Sequence, residues 1–201
     1  MVIHQRGTRN VRDQYGQAIN ALLKFKLAMD KINPRVANRV VGNIGEYYVL
    51  QELDRCGLGP IEYKGGYGKY DIALGNPQKR IEVRTSLLKN EGLYPKGVEF
   101  YGWRVLGQKA KRESYDFLIG VTLDNSWKCP NFYIFTAQEA CAVGDVKIGR
   151  FRSVRKKIHL FKDRDVFRQA LACRQSILIT PFERTINQQP GRFKDKWNKL
   201  K

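Results

Sequence analysis

Apolar positions recur at helical spacing through the first quarter of the chain. Tyr15, Ala18, Ile19, Leu22, Leu23 and Met29 form one stripe and Asn33-Pro34 stops it, so the spacing predicts a helix over 13–32. A second helix is predicted over 35–56, ending at Gly57. Val36, Val40, Ile44 and Tyr48 lie on one line, and Val49, Leu50 and Leu53 on the adjoining one. Glu46 stands one turn before Leu50 and two before Leu53, on the margin of the face that must be buried. An unpaired carboxylate is out of place there.

Then the period changes to two. Residues 70–74 and 79–84 read as short strands separated by Gly75-Asn76-Pro77-Gln78, a turn signal. Further strands are predicted over 98–105, 117–123 and 132–135. Thr136-Ala137-Gln138-Glu139 has the form of a capping box leading into a short helix, and helix resumes over 163–174. Helices, then strands, then helices predict an α/β fold with a central mixed β-sheet flanked by helices. The length fits one domain over 1–201. Its core is expected over about 36–136, after a helical segment 1–35 and before a basic region 145–201.

Charge sharpens this picture. An apolar fraction of 42% suits a folded chain, and 37 Lys plus Arg against 19 Asp plus Glu leave a net charge of +18. So large an excess attracts polyanions, of which nucleic-acid backbones are the commonest inside cells. Lys147, Arg150, Arg152, Arg155, Lys156 and Lys157 open a basic run that continues to Arg168, and they are the expected nucleic-acid-binding surface. The stretch 192–201 is also basic, with Phe193 and Trp197 interleaved; it reads equally as a frayed tail or as an extension of that surface. No apolar run is long enough to span a membrane and no apolar leader opens the chain, so a cytoplasmic, intracellular protein is expected. Cys56, Cys129, Cys141 and Cys173 form no CxxC pair and read as reduced core thiols rather than zinc ligands. With only His4 and His159, chemistry built on several histidines is hard to assemble.

Alternation then exposes a candidate site. In a strand, Ile81 and Val83 point to one face while Glu82 and Arg84 point to the other. An even loop centred on Asn76-Pro77 pairs Leu74 with Lys79, Ala73 with Arg80, Ile72 with Ile81, and Asp71 with Glu82. Opposed residues share a face with Cβ atoms about 4.5–5.5 Å apart, and two carboxylates that close repel unless a cation lies between them. Magnesium suits such a site, because it is typically held by one or two carboxylates plus waters and phosphate oxygens.

At these residues the chain resembles the PD-(D/E)xK nuclease superfamily, the restriction-endonuclease-like proteins. Tyr70-Asp71 supplies the first acid, Glu82-Val83-Arg84 the acid-x-Lys tripeptide, and Gly45-Glu46-Tyr47 the helical glutamate; residues 115–121 look like the later core strand of such folds. The resemblance covers about 36–136. It implies a Mg2+-dependent endodeoxyribonuclease (Mn2+ substituting) that cleaves double-stranded DNA at specific sites, as a homodimer. Asp71, Glu82 and the Val83 carbonyl would hold the metal, and Asp71, Glu82, Arg84 and Glu46 would form the catalytic set. Two positions depart from the pattern. Tyr70 replaces proline, and Arg84 replaces the lysine, which matters more because arginine stays protonated and is no base. Lys64, Lys69 and Lys89 are candidates for a relocated ammonium. The alternatives are a non-catalytic DNA- or RNA-binding protein on the same fold, a homing endonuclease or a junction resolvase.

Overall fold

Two long helices come first, as their stripes predict. In the computed structural model, which describes residues 8–65, 70–89, 94–105, 114–124, 126–142, 157–173 and 179–201, α1 spans Thr8–Ile32 and α2 spans Pro34–Arg55. Asn33 caps α2: its side chain accepts the Val36 N–H at 3.3 Å, and Pro34, which has no N–H to satisfy, opens the first turn. The strands follow as β1 (Ile61–Tyr63), β2 (Ile72–Leu74), β3 (Lys79–Leu87), β4 (Phe100–Arg104), β5 (Phe117–Leu123), β6 (Asn131–Thr136) and β7 (Lys157–Phe161). Helix α3 (Ala137–Cys141) starts on the Thr136–Glu139 capping box that the sequence predicts, and α4 (Arg164–Ala172) and α5 (Pro181–Gln188) come last.

Five strands form one sheet in the order β1-β2-β3-β5-β6, while β4 and β7 form a separate antiparallel ribbon. Strands β3 and β5 run parallel and the remaining pairs antiparallel, so the sheet is mixed and the α/β class is as expected. The start of the parallel pair is pinned by a fork: Arg80 Nη2 donates to Asp116 Oδ1 at 2.9 Å, and the Arg80 backbone N–H donates to Oδ2 at 2.8 Å.

Side-chain alternation sorts the core into two layers. Ile72, Leu74, Ile81, Val83, Ile119 and Val121 pack with the helical residues Val40, Ile44 and Leu53 on one face. On the other, Leu118, Tyr133 and Phe135 meet Trp103 and Ile158 of the ribbon, Ile186 of α5, and Phe193. The free side of β7 is covered by α5. Glu183 accepts the His159 N–H at 2.8 Å, Asn187 accepts the Phe161 N–H at 2.7 Å, and Asn187 Nδ2 donates to the His159 carbonyl at 2.9 Å.

The hairpin register follows the expected count for Ile72 with Ile81, Ala73 with Arg80, and Leu74 with Lys79. The fourth expected pair, Asp71 with Glu82, does not extend the ladder. Residues 70 and 71 form a bend, and the Asp71 N–H turns to the Ile81 carbonyl at 2.9 Å. The segment 192–201 is no frayed tail: Phe193, Trp197 and Leu200 are buried, and Lys79 Nζ grips the Leu200 and Lys201 carbonyls at 2.9 and 2.7 Å. The four cysteines are free; Cys56 and Cys173 are half-buried and pack against the core, Cys141 is half-buried, and Cys129 is exposed. No helix among the described residues is long and apolar enough to cross a membrane.

Candidate metal and phosphate site

Three carboxylates come from three different elements. On α2, Gly45 crosses β3 so tightly that a Cβ there would sit 1.8 Å from Thr85 Oγ1, and this approach sets the next residue, Glu46, beside the sheet. Glu46 is buried, and its Oε2 accepts the Tyr63 hydroxyl of β1 at 2.6 Å.

Asp71 stands where β2 has not yet begun. The N–H of Val83 points toward that missing stretch, and Asp71 Oδ2 accepts it at 2.7 Å. A side chain thus takes the place of a backbone acceptor, which explains why the ladder stops one residue early. Glu82, on β3, is buried as well and is ion-paired with Arg84 two residues on. The Arg84 Nη1 also lies 3.5 Å from the Val83 carbonyl oxygen.

The electrostatics bind the group together. Burial pushes the Glu82 carboxyl up to about 7; Arg84 opposes that rise, and the charges of Asp71 and Glu46 add to it. Burial likewise raises Asp71, against the Val83 N–H and Arg84. It raises Glu46 against the Tyr63 hydrogen bond, with Asp71 adding and Arg84 opposing. Three desolvated acids therefore all feel the Arg84 guanidinium, and burial disfavours the charged form of each. A site of this kind stabilises an added cation. That Arg84 lies against both the Glu82 carboxylate and the Val83 carbonyl shows these two groups turned toward one positive charge.

The expected residues Glu46, Asp71, Glu82, Val83 and Arg84 are thus brought together. Among the described residues no set of three or more His, Cys, Asp or Glu side chains converges at metal-ligand spacing. Asp71, Glu82 and the Val83 carbonyl are the groups that could hold a cation here, with Glu46 tied to Tyr63. Of the alternative ammonium groups, Lys64 is paired with Glu62 at 2.6 Å, Lys89 lies in a bridge with Phe100 beyond the far end of β3, and Lys69 lies outside the described residues.

Two tyrosines, Tyr63 and Tyr115, complete the surroundings, and neither is among the expected site residues. Tyr63 belongs to a half-exposed strand of three residues that shows no periodicity. Tyr115 is buried, its hydroxyl has no hydrogen-bond partner among the described residues, and its ionisation is raised first by burial and then by charges including Glu82, against Arg84. A polar atom left over beside the acids was the signal available there, and only the fold displays it.

Of the expected nucleic-acid surface, Lys147, Arg150, Arg152, Arg155 and Lys156 lie outside the described residues. Lys157 opens β7 opposite Arg104 of β4, placing two cations side by side at one end of the ribbon. Farther along the run, Lys162 pairs with Glu99 at 2.6 Å and Arg168 with Asp165 at 3.1 Å.

No family model matches the chain, and no curated protein does. Among solved structures it is similar to a bacterial homing endonuclease, I-Ssp6803I, at 16% identity and a TM-score of 0.39, over 59% of this chain and 84% of that one.

Proposed function

We propose that this protein is a divalent-metal-dependent endodeoxyribonuclease of the PD-(D/E)xK kind, using Mg2+ or Mn2+ to hydrolyse phosphodiester bonds of double-stranded DNA. One observation carries the reading: buried Glu46, Asp71 and Glu82, from separate elements, all feel the Arg84 guanidinium within a chain of net charge +18. A protein that merely binds a polyanion has no use for desolvated acids at the same place.

Asp71, Glu82 and the Val83 carbonyl would hold the ion. Bound there, it supplies Lewis acidity and lowers the pKa of a coordinated water. Glu46 orients the attacking water through Oε1, the oxygen that Tyr63 does not occupy. Arg84 grips the scissile phosphate and stabilises its growing negative charge; as an arginine it does not serve as the base. In-line attack leaves a free 3′-hydroxyl. Restriction-type cleavage of both strands calls for two such sites, hence a homodimer, and the exposed Phe25, Leu27 and Ile32 of α1 are the candidate surface for it.

The test is plasmid cleavage in Mg2+ and Mn2+, with Glu82→Ala as control. Metal-dependent cutting that disappears in the variant supports the reading. Tight duplex binding with no cutting in either metal makes the chain a non-catalytic binder on this fold. Preference for four-way junctions or for one long target would identify a resolvase or a homing enzyme.

A further inference from the structure

Arg84 touches, in one pose, both groups assigned above to metal binding on β3. It is ion-paired with Glu82 and reaches the Val83 carbonyl at 3.5 Å. The two partners differ sharply in freedom. The Glu82 side chain is 6% exposed, whereas Arg84 keeps 37% of its surface in water. The acid is enclosed by the fold, and the guanidinium borders solvent. Glu46, Asp71 and Glu82 all feel the charge of Arg84.

The geometry points to Arg84 as a resident counter-ion with two stations, inward on Glu82 and the Val83 carbonyl in the absence of a divalent cation, and outward on a phosphate oxygen in its presence. The inference rests on the metal site proposed above. A guanidinium and a divalent ion repel each other a few ångströms apart, and the Glu82 oxygen paired with one is not available to the other. Turning outward breaks the Glu82 pair, and two parallel N–H bonds to phosphate oxygens replace it, a geometry arginine has and lysine lacks. Metal and DNA phosphate therefore favour each other's binding: each takes up the station that the other needs vacated or filled. This gives the arginine in place of the family lysine a role of its own, keeping the site neutralised until a phosphate backbone arrives.

Calorimetric titration of the intact chain with Ca2+, a hard cation that takes the same oxygen ligands, tests this without turnover. Arg84→Gln and Arg84→Ala are expected to bind Ca2+ at least about fivefold more tightly than the unaltered protein, within the usual range of coupling between two sites. A short duplex, whose phosphate oxygens can reach the ion in every form, is expected to tighten Ca2+ binding more in the unaltered protein than in either variant, because only there does it also hold Arg84 outward. Arg84→Lys, which keeps the charge, stays near the unaltered affinity, and Arg55→Ala, which removes a remote surface charge, changes nothing. Circular dichroism checks folding, and Arg84→Gln keeps most of the side-chain length should Arg84→Ala misfold. Unchanged or weaker Ca2+ binding in both variants, with clear binding in the unaltered protein, overturns the counter-ion role and leaves the metal site standing. Tightening of equal size in Arg55→Ala overturns it too, as an effect of net charge alone. Absence of Ca2+ and Mn2+ binding in every form overturns the metal site and this inference together.

Discussion

Gly45 of α2 and Thr85 of β3 stand closer than any side chain on the glycine would allow, since a Cβ there would lie 1.8 Å from the threonine Oγ1. This approach fixes the height of α2 above the sheet. Glu46 is the next residue, so its reach toward Asp71 and Glu82 is set at the same point.

Gly45→Ala is accordingly expected to destabilise the fold by about 1–3 kcal/mol, as overpacking of a tight crossing does. Cleavage should fall further than stability explains, because Glu46 is lifted with the helix. Thr85→Ala in the Gly45→Ala background removes the clashing oxygen and recovers part of both losses, and urea unfolding of the four proteins in the cycle checks the coupling. Additive effects of the two substitutions would rule the close approach out as the cause.

Asp71 has a structural duty and a chemical one, and Asn separates them. In Asp71→Asn the amide oxygen still accepts the Val83 N–H, so the melting temperature should stay close to that of the unaltered protein. The ligand charge is gone, and cleavage should fall by at least about 100-fold while duplex binding without metal is retained. Asp71→Ala loses the Val83 partner as well and should melt earlier. A variant Asp71→Asn that cuts normally would remove Asp71 from the metal set.

Glu82 predicts how stability depends on pH. Its carboxyl is raised from 4.5 to about 7 in the fold, chiefly by burial. Between these values the folded protein holds a proton that the unfolded chain has released, so stability falls as pH rises through this window, and the loss is complete above about 7. Glu82→Gln keeps the side chain neutral at every pH. Its advantage over the unaltered protein should grow from near zero below pH 4.5 to on the order of 3 kcal/mol at pH 8 in a chelator. Urea unfolding at pH 5 and pH 8 measures it, and equal differences at both values would contradict the assignment.

Neutralising Arg155, Lys156 and Lys157 together should weaken duplex binding and flatten its salt dependence, by up to ~0.9 in log–log slope for each phosphate no longer neutralised. Cleavage at saturating DNA should persist. Normal binding without cleavage would move this cluster into the chemistry.

What was legible in the sequence follows from period and parity. The even loop at Asn76-Pro77 and the alternation around Ile81 and Val83 determine three ladder pairs, and all three are present. The fourth was not legible, because Asp71 spends its carboxylate on the Val83 N–H and bends the chain before a strand can form. Glu46 stood out because it lies on the margin of an apolar face. Tyr63 did not, since three half-exposed residues carry no period. Strand β7 was hidden for a different reason: the run Ile158-His159-Leu160-Phe161 sits inside a basic stretch and is buried on both sides, so neither charge nor alternation marks it. In the segment 192–201, lysines and arginines mask Phe193, Trp197 and Leu200, whose partners lie far away in the chain.

The docking of α5 on β7 bears on how copies of this protein meet. A bare strand edge is a row of unpaired amides and carbonyls that invites another strand, from the same protein or from any extended peptide. Here Glu183 and Asn187, one helical turn apart, match the two-residue repeat of His159 and Phe161 and satisfy their outward N–H groups, as a third strand would. A helix has been put where a strand would fit, and unlike a strand it has no second edge to offer. The ribbon is thereby blocked on that side against growth by strand addition, so sheet-to-sheet association and the fibrous stacking it seeds have no foothold on β7.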